Sequence, residues 1–90
     1  MDADEFISGL KADGYDEIVH KDVPAGTWLA EHEHPWDARL LVLDGGLTVG
    51  IAGDARTYRP GERFEVPRGL RHTERYDAER ETRLVIGRRH

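Results

Sequence analysis

The chain is 90 residues long, a size that allows one domain with a single hydrophobic core. It has no cysteine, which excludes disulfide bonds and thiolate metal ligands, and its net charge of -5 disfavours a nucleic-acid partner. The first residues, Met1-Asp2-Ala3-Asp4-Glu5, are acidic where a secretory signal is basic, and no apolar run of membrane-spanning length follows. We therefore expect a cytoplasmic protein that does not enter a membrane.

One helix is predicted, from Asp4 to Ala12, with an apolar stripe made of Phe6, Ile7 and Leu10. Asp2 or Asp4 can cap its start, and Gly14 can end it. A helix this short is unstable alone, so we expect its stripe to pack on the rest of the domain. The predicted organisation is a helical segment at residues 1–16 and a β-barrel domain at residues 17–90.

From Glu17 onward the sequence predicts short strands separated by turns rich in Gly, Pro and Asp. A tight hairpin turn is predicted at Gly53-Asp54. Short strands at this spacing are typical of an all-β sandwich or closed barrel. The predicted strands are Ile18-Val19, Thr27 to Glu33, Leu40 to Leu43, Leu47 to Ile51, Arg56 to Tyr58, Arg63 to Val66, His72 to Tyr76 and Thr82 to Ile86.

Three histidines are the candidate functional residues. His32 and His34 are two positions apart, a spacing that aims both imidazoles at one side of a strand. His72 adds a third imidazole after a turn punctuated by proline and glycine. Three imidazoles that converge inside a small β structure are the start of a divalent metal site with open coordination positions. If the histidines face inward, strand alternation places Trp28, Ala30, Glu74 and Tyr76 inward with them, and Leu29 and Glu31 outward.

The histidines belong to two spaced motifs, Gly26-x5-His32-x-His34 with Gly46 at its closing position, and Gly61-x5-Pro67-x-Gly69-x2-His72. Together these motifs resemble those of the small single-domain bacterial cupins, the cupin 2 conserved barrel family. The resemblance implies a cupin fold, a jelly-roll barrel also called a double-stranded β-helix, preceded here by the short helix. It also implies that His32, His34 and His72 are metal ligands, with a glutamate of the first motif as the fourth.

The sequence departs from the family pattern at the fourth ligand. Arg39 (or Ala38, with the shorter spacing) stands where the glutamate is expected, and Tyr76 replaces the last asparagine of the second motif. Glu74 shares the face of His72, and Asp37 lies three residues after His34, so either carboxylate, or water, can complete the shell. Arg39 then has two candidate roles, contact with that carboxylate or with an anionic group of a substrate.

Imidazoles and one carboxylate suit Zn, Ni, Fe or Mn as the divalent ion. The first functional hypothesis is a metalloenzyme of dioxygenase or isomerase type acting on a small polar metabolite in the barrel cavity. Its candidate proton-transfer residues are Tyr76, Glu74 and Asp37, with Trp36 and Tyr76 at the barrel mouth. The alternative is a cupin that binds or senses a small molecule without chemistry, with or without metal.

Two further expectations concern surfaces. Trp28 and Trp36 are expected to pack as core and pocket wall. A barrel this small also exposes sheet edges and apolar outer surface, so we expect a homodimer.

Overall fold

Two four-stranded antiparallel sheets form the body of the protein, whose structure is a computed structural model that describes residues 2–90. One sheet has the strand order β1-β8-β3-β6 and the other the order β2-β7-β4-β5. The predicted all-β jelly-roll with a short N-terminal helix is confirmed. The elements are α1 (Ala3–Ala12), β1 (Glu17–Val23), β2 (Trp28–His32), β3 (Asp37–Asp44), β4 (Leu47–Ile51), β5 (Asp54–Tyr58), β6 (Arg63–Val66), β7 (His72–Tyr76) and β8 (Thr82–Arg89).

The main core lies between the inner faces of the two sheets. Strand alternation explains it: Leu40 and Val42 of β3 point inward beside Leu84 of β8, and Leu47 and Val49 of β4 meet them from the other sheet. All five side chains are buried. At one end, polar and charged side chains replace the apolar ones, and the interior opens into a cavity.

Helix α1 covers the outer face of the first sheet. Asp2 is its N-cap, with Oδ1 accepting from the backbone N–H of Glu5, and Gly14 follows its end with φ of 80°. No helix within residues 2–90 is long and apolar enough to cross a membrane. The stripe packs as predicted: Phe6 and Leu10 are buried with Leu41 and Val85, which alternation turns to the outside of this sheet.

The hairpin between β4 and β5 turns one residue earlier than predicted. Ile51 pairs with Asp54, so the two turn residues are Ala52 and Gly53, and both have positive φ, 51° and 86°. A two-residue turn with positive φ at both positions matches the right-handed twist of the strands. The prediction of Gly53-Asp54 as the turn was therefore wrong by one position.

The face assignment on β2 was also wrong for Trp28 and Leu29. Trp28 pairs with Arg75 and Leu29 with Glu74, and the register shifts between Leu29 and His32. A bulge adds a residue to one strand and reverses the alternation beyond it. Leu29 therefore lines the cavity, and Trp28 is 59% exposed on the outer face of the second sheet, not in the core.

Candidate metal centre

Four side chains on the second sheet or directly after its strand β2 converge at the open end of the barrel. His32, the last residue of β2, pairs directly with His72, the first residue of β7, and their ring centroids are 4.3 Å apart. His34 follows β2, with its ring centroid 4.9 Å from that of His32. Glu74 is two positions after His72 on the same face. One ligand atom from each of these four residues lies within 4.8 Å of the others, so they form one cluster.

A backbone contact fixes the segment that carries His34. The carbonyl of His34 accepts a 2.9 Å hydrogen bond from the N–H of Gly69, in the turn that precedes β7. Gly69 has φ of 75°, a conformation that glycine adopts without steric cost. The turn that delivers His72 is thus bonded to the segment that delivers His34, which explains why two separated motifs build one site.

Backbone carbonyls set the tautomers of two imidazoles. Nδ1 of His32 lies 2.7 Å from the carbonyl of Ala30, and Nδ1 of His72 lies 2.9 Å from the carbonyl of Leu70. Since a carbonyl only accepts, each Nδ1 carries the proton and donates it. The Nε2 atoms then face the cluster, and these outer hydrogen bonds are the support that metal-binding histidines ordinarily have.

The Nε2 atoms meet one carboxylate oxygen. Glu74 Oε2 lies 3.1 Å from Nε2 of His32 and 3.5 Å from Nε2 of His72. Lone pairs that face each other at this distance require a proton or a cation between them. Burial lowers the pKa of His34, and the charges of His32 and His72 lower it further, which favours the neutral imidazole that binds metals. The donor set therefore fits a divalent ion.

Tyr76 supports Glu74 from the same strand. Its hydroxyl donates a 2.6 Å hydrogen bond to Glu74 Oε1, the oxygen that does not face the histidines. Burial raises the pKa of Tyr76 well above its ordinary value, and the charge of Glu74 adds to the effect, so the phenol stays protonated. The expected inward faces of Glu74 and Tyr76 are confirmed, since both line the cavity.

Asp37, the other carboxylate considered from the sequence, lies outside the cluster. Its oxygens accept hydrogen bonds from the backbone N–H of Arg68 at 2.9 Å and from Nη2 of Arg89 at 3.1 Å. These contacts, the backbone one first, hold the pKa of Asp37 far below its usual range. Asp37 joins the ends of β3 and β8 to the turn before β7.

Arg39 also lies away from the cavity, which corrects both roles considered for it. Its guanidinium donates to Asp13 at 2.6 Å and to Glu65 at 2.9 Å and lies over the ring of Tyr15. Strand alternation turns its neighbour Ala38 inward, and Ala38 lines the cavity. A methyl group thus occupies the inward position of β3 nearest to the one expected to hold the fourth ligand.

The cavity has a volume of about 90 Å³ and is polar on the side of the cluster. Trp36 lines it as expected for a pocket wall, with its ring stacked on His34 at 4.9 Å. The opposite wall is apolar and comes from the first sheet, with Leu40, Phe64, Val66 and Ile86.

Sequence reasoning did not place the two cations Lys21 and Arg88 in this cavity, assigned Leu29 to the outer face, and did not identify the apolar wall. The strand predicted over residues 82–86 ended too early, because β8 runs to Arg89. Continuing its alternation by two positions would have placed Arg88 inward.

The two packed sheets and the cluster of three histidines and one glutamate together define a small β-barrel protein with a candidate metal site. The sequence matches the family model described as "Cupin domain" over residues 19–86, so the chain belongs to the cupin domain family. A search of curated proteins finds no match.

Solved structures agree with the family assignment. The chain is similar to a cupin-2 domain protein from Shewanella frigidimarina, at 25% identity and a TM-score of 0.63, covering 79% of this chain and 69% of that one. KdgF from Halomonas sp. shares the fold at 20% identity and a TM-score of 0.68, covering 81% and 67%. An oxalate oxidase in complex with the substrate analogue glycolate is 30% identical with a TM-score of 0.67, over 79% of this chain but 40% of the oxidase. The chain thus spans less than half of that enzyme.

Proposed function

We propose that this cupin binds one divalent transition-metal ion through His32, His34, His72 and Glu74. The observation that carries the proposal is the convergence of two Nε2 atoms on Glu74 Oε2, with both Nδ1 protons already donated to backbone carbonyls. Three imidazoles and one carboxylate suit Zn²⁺, Ni²⁺, Fe²⁺ or Mn²⁺. The carboxylate comes from β7, two residues after a histidine.

We propose a metalloenzyme of dioxygenase or isomerase type that acts on a small polar metabolite. When bound, such an ion supplies Lewis-acid polarisation of an oxygen group or, if it is redox-active, dioxygen chemistry. Residues of the chain select and orient: Trp36 and the apolar wall limit the size of the substrate, and Tyr76 holds the carboxylate of Glu74 in place. The resemblance to an oxalate oxidase with bound glycolate supports a small, oxygen-rich substrate.

A binding or sensing cupin without chemistry is the second candidate, and one observation favours it. An enzyme of this kind needs a proton-transfer group beside the metal that is not itself a ligand. Tyr76 donates its proton to Glu74, and Asp37 is bound by Arg68 and Arg89. If Glu74 is a ligand, each candidate residue already has another role.

We also propose a homodimer that pairs through the outer face of the second sheet. Helix α1 covers the first sheet, whereas Trp28 on the second is 59% exposed, in a cross-strand row with Arg75, Thr48 and Thr57. Burying an aromatic side chain in a self-complementary sheet interface stabilises a two-fold dimer. Light scattering should give the dimer mass, and Trp28→Asp the monomer mass. A monomeric wild-type protein at working concentration would contradict this.

Metal analysis of protein purified without a polyhistidine tag tests the metal site. We expect near-stoichiometric metal in the wild type and its loss in the His32→Ala, His72→Ala double variant. His20→Ala is the matched control, because His20 is exposed on β1 and outside the cluster. Wild-type protein that is folded and holds no metal after reconstitution with each of the four ions would refute the metal site.

A further inference from the structure

We propose that the ligand of this cavity is a small carboxylate and that Arg88 recognises its anionic group. The inference rests on the proposed metal site, which would bind an oxygen of the same molecule. It adds a substrate class and a specificity residue to that site. The supporting observations are the position of Arg88, the contacts of its guanidinium, and the charge and shape of the cavity.

Arg88 reaches the cavity because of the register of β8. Its Cα partners are Glu17 on β1 and Ala38 on β3, and alternation turns it inward together with Ile86. Its partner on β3 carries only the methyl group of Ala38, and both residues line the cavity. About a quarter of the side chain remains exposed (27%), which leaves it accessible to a ligand.

Aromatic stacking connects Arg88 to the histidine cluster. The guanidinium carbon lies 5.0 Å from the centre of the Trp36 ring, a cation–π distance. That ring stacks on His34 with 12° between the planes. Arg88 is therefore held beside the proposed metal and not in bulk solvent.

Most hydrogen-bond donors of Arg88 are available. Within residues 2–90 its side chain makes one hydrogen bond, from Nη1 to Oε1 of Glu17, and that bond is long at 3.4 Å. A guanidinium has five N–H donors in a planar fork that matches a carboxylate. A ligand carboxylate can therefore pair with the remaining donors.

The charges of the cavity favour an anion. Lys21 and Arg88 line it as cations and Glu74 as the carboxylate, with the three histidines neutral when they bind a metal. A divalent ion adds two positive charges, so the loaded site carries an excess of positive charge. An anionic ligand would offset this excess, and in a partly enclosed cavity the attraction is stronger than in water.

Size and polarity select a short carboxylate. A volume of about 90 Å³ admits a molecule of a few heavy atoms, and Leu40, Phe64 and Ile86 offer apolar contact for its carbon atoms. A phosphate group has as many heavy atoms as glycolate, so charge and not size disfavours it, because a dianion against the apolar wall carries a larger desolvation cost than a monoanionic carboxylate. We therefore commit to a carboxylic acid with a hydroxyl or carbonyl oxygen near its other end.

Calorimetric titration with glycolate tests the assignment, using glycolamide as the neutral probe and inorganic phosphate as the competing anion. We expect wild-type protein to bind glycolate, to bind glycolamide at least tenfold more weakly, and to bind glycolate more tightly than phosphate. In Arg88→Gln the affinity for glycolate should fall at least tenfold, because a charged hydrogen-bond pair is lost. Arg63→Gln, at an exposed position of β6 outside the cavity, should stay within twofold of the wild type.

Glu17→Gln should change the affinity for glycolate in the opposite direction to Arg88→Gln. Glu17 competes for the guanidinium, so removing its charge should raise the affinity for glycolate, while its amide still accepts from Arg88. Loss of affinity in both Arg88→Gln and Glu17→Gln would indicate a general disturbance of the barrel mouth and would overturn the assignment.

Metal content, measured on the same samples, separates this inference from the proposed function. Equal metal in wild type and Arg88→Gln, with reduced glycolate binding only in the variant, supports both. Equal metal with equal glycolate binding means that the metal alone holds the carboxylate, and the role of Arg88 is wrong. Absence of metal together with glycolate binding that depends on Arg88 would refute the metal site and retain the carboxylate site.

Discussion

Tyr76 donates a 2.6 Å hydrogen bond to Oε1 of Glu74, and this contact determines which carboxylate oxygen faces the histidines. The two residues alternate on one face of β7, so both point into the barrel. With Oε1 engaged, Oε2 is the atom that lies 3.1 Å from Nε2 of His32. The phenol thus orients the carboxylate that we propose as the ligand in place of the glutamate missing from the first motif.

The first prediction is that Tyr76→Phe weakens metal binding about 10- to 100-fold without unfolding the barrel. This is the usual effect of removing a group that orients a metal ligand. Phenylalanine keeps the buried ring and removes only the hydrogen bond. Competition with a chromogenic chelator measures the affinity. Unchanged affinity in Tyr76→Phe would show that Glu74 needs no such support.

The second prediction separates the two carboxylates that the sequence offered. Glu74→Gln removes a charged ligand and should lower the metal affinity at least tenfold. Asp37→Asn should leave the affinity within twofold, because Asp37 pairs with Arg68 and Arg89 outside the cluster. The same chelator assay applies. The reverse result would assign the fourth ligand to Asp37.

Much of the fold was predictable because alternation and turn residues are local signals. The strands Leu47 to Ile51, Arg63 to Val66 and His72 to Tyr76 were predicted with the bounds that the structure has. The errors came where register depends on tertiary pairing. The shift between Leu29 and His32 reverses the side on which Trp28 lies, and nothing in the local sequence marks it.

The site was predictable as far as its histidines, because motif spacing places His32, His34 and His72 together. Face parity brought Glu74 and Tyr76 to the same cavity. Motif spacing left Ala38 and Arg39 as alternatives for the position of the missing glutamate, and the sequence did not indicate which of these neighbours faces inward. The orientation of the two side chains depends on the pairing of β3 with β6 and β8 and on the acidic partners that Arg39 has outside the barrel.

The third prediction concerns acid stability. The folded-state pKa of Asp37 is lowered, so its contribution to stability is fully present above the ordinary value of 3.8 and is lost as pH falls below it. Asp37→Asn should therefore be less stable than the wild type at pH 7, and the difference should shrink as the pH drops below 3.8. Urea unfolding at pH 7, 5 and 3 measures this. Asp54→Asn, in the exposed hairpin, is the control and should behave as the wild type does.

The fourth prediction is that Leu10→Ala costs about 2–5 kcal/mol of unfolding free energy, as expected for a fully buried leucine. Leu10 packs against Gly87, where an added Cβ would lie only 2.5 Å from the leucine side chain, so the contact is close. Ile7→Ala, at a partly buried position, should cost less. Metal affinity should not change, because α1 packs on the first sheet, whereas the cluster of His32, His34, His72 and Glu74 lies at the second sheet. Urea unfolding and the chelator assay check both statements, and a cost below about 1 kcal/mol would contradict the tight packing of α1.

The fifth prediction is that metal binding changes the fluorescence of Trp36 and leaves that of Trp28 unchanged. Trp36 stacks on His34 at 4.9 Å, so a metal bound by that imidazole should alter its fluorescence, and Ni²⁺ should quench it. Trp28 is on the outer face of the second sheet and should give a constant background. During a Ni²⁺ titration, Trp28→Phe should therefore keep the full quenching amplitude, and Trp36→Phe should lose it. Quenching that persists in Trp36→Phe would place the bound metal away from His34, because the remaining indole lies outside the barrel.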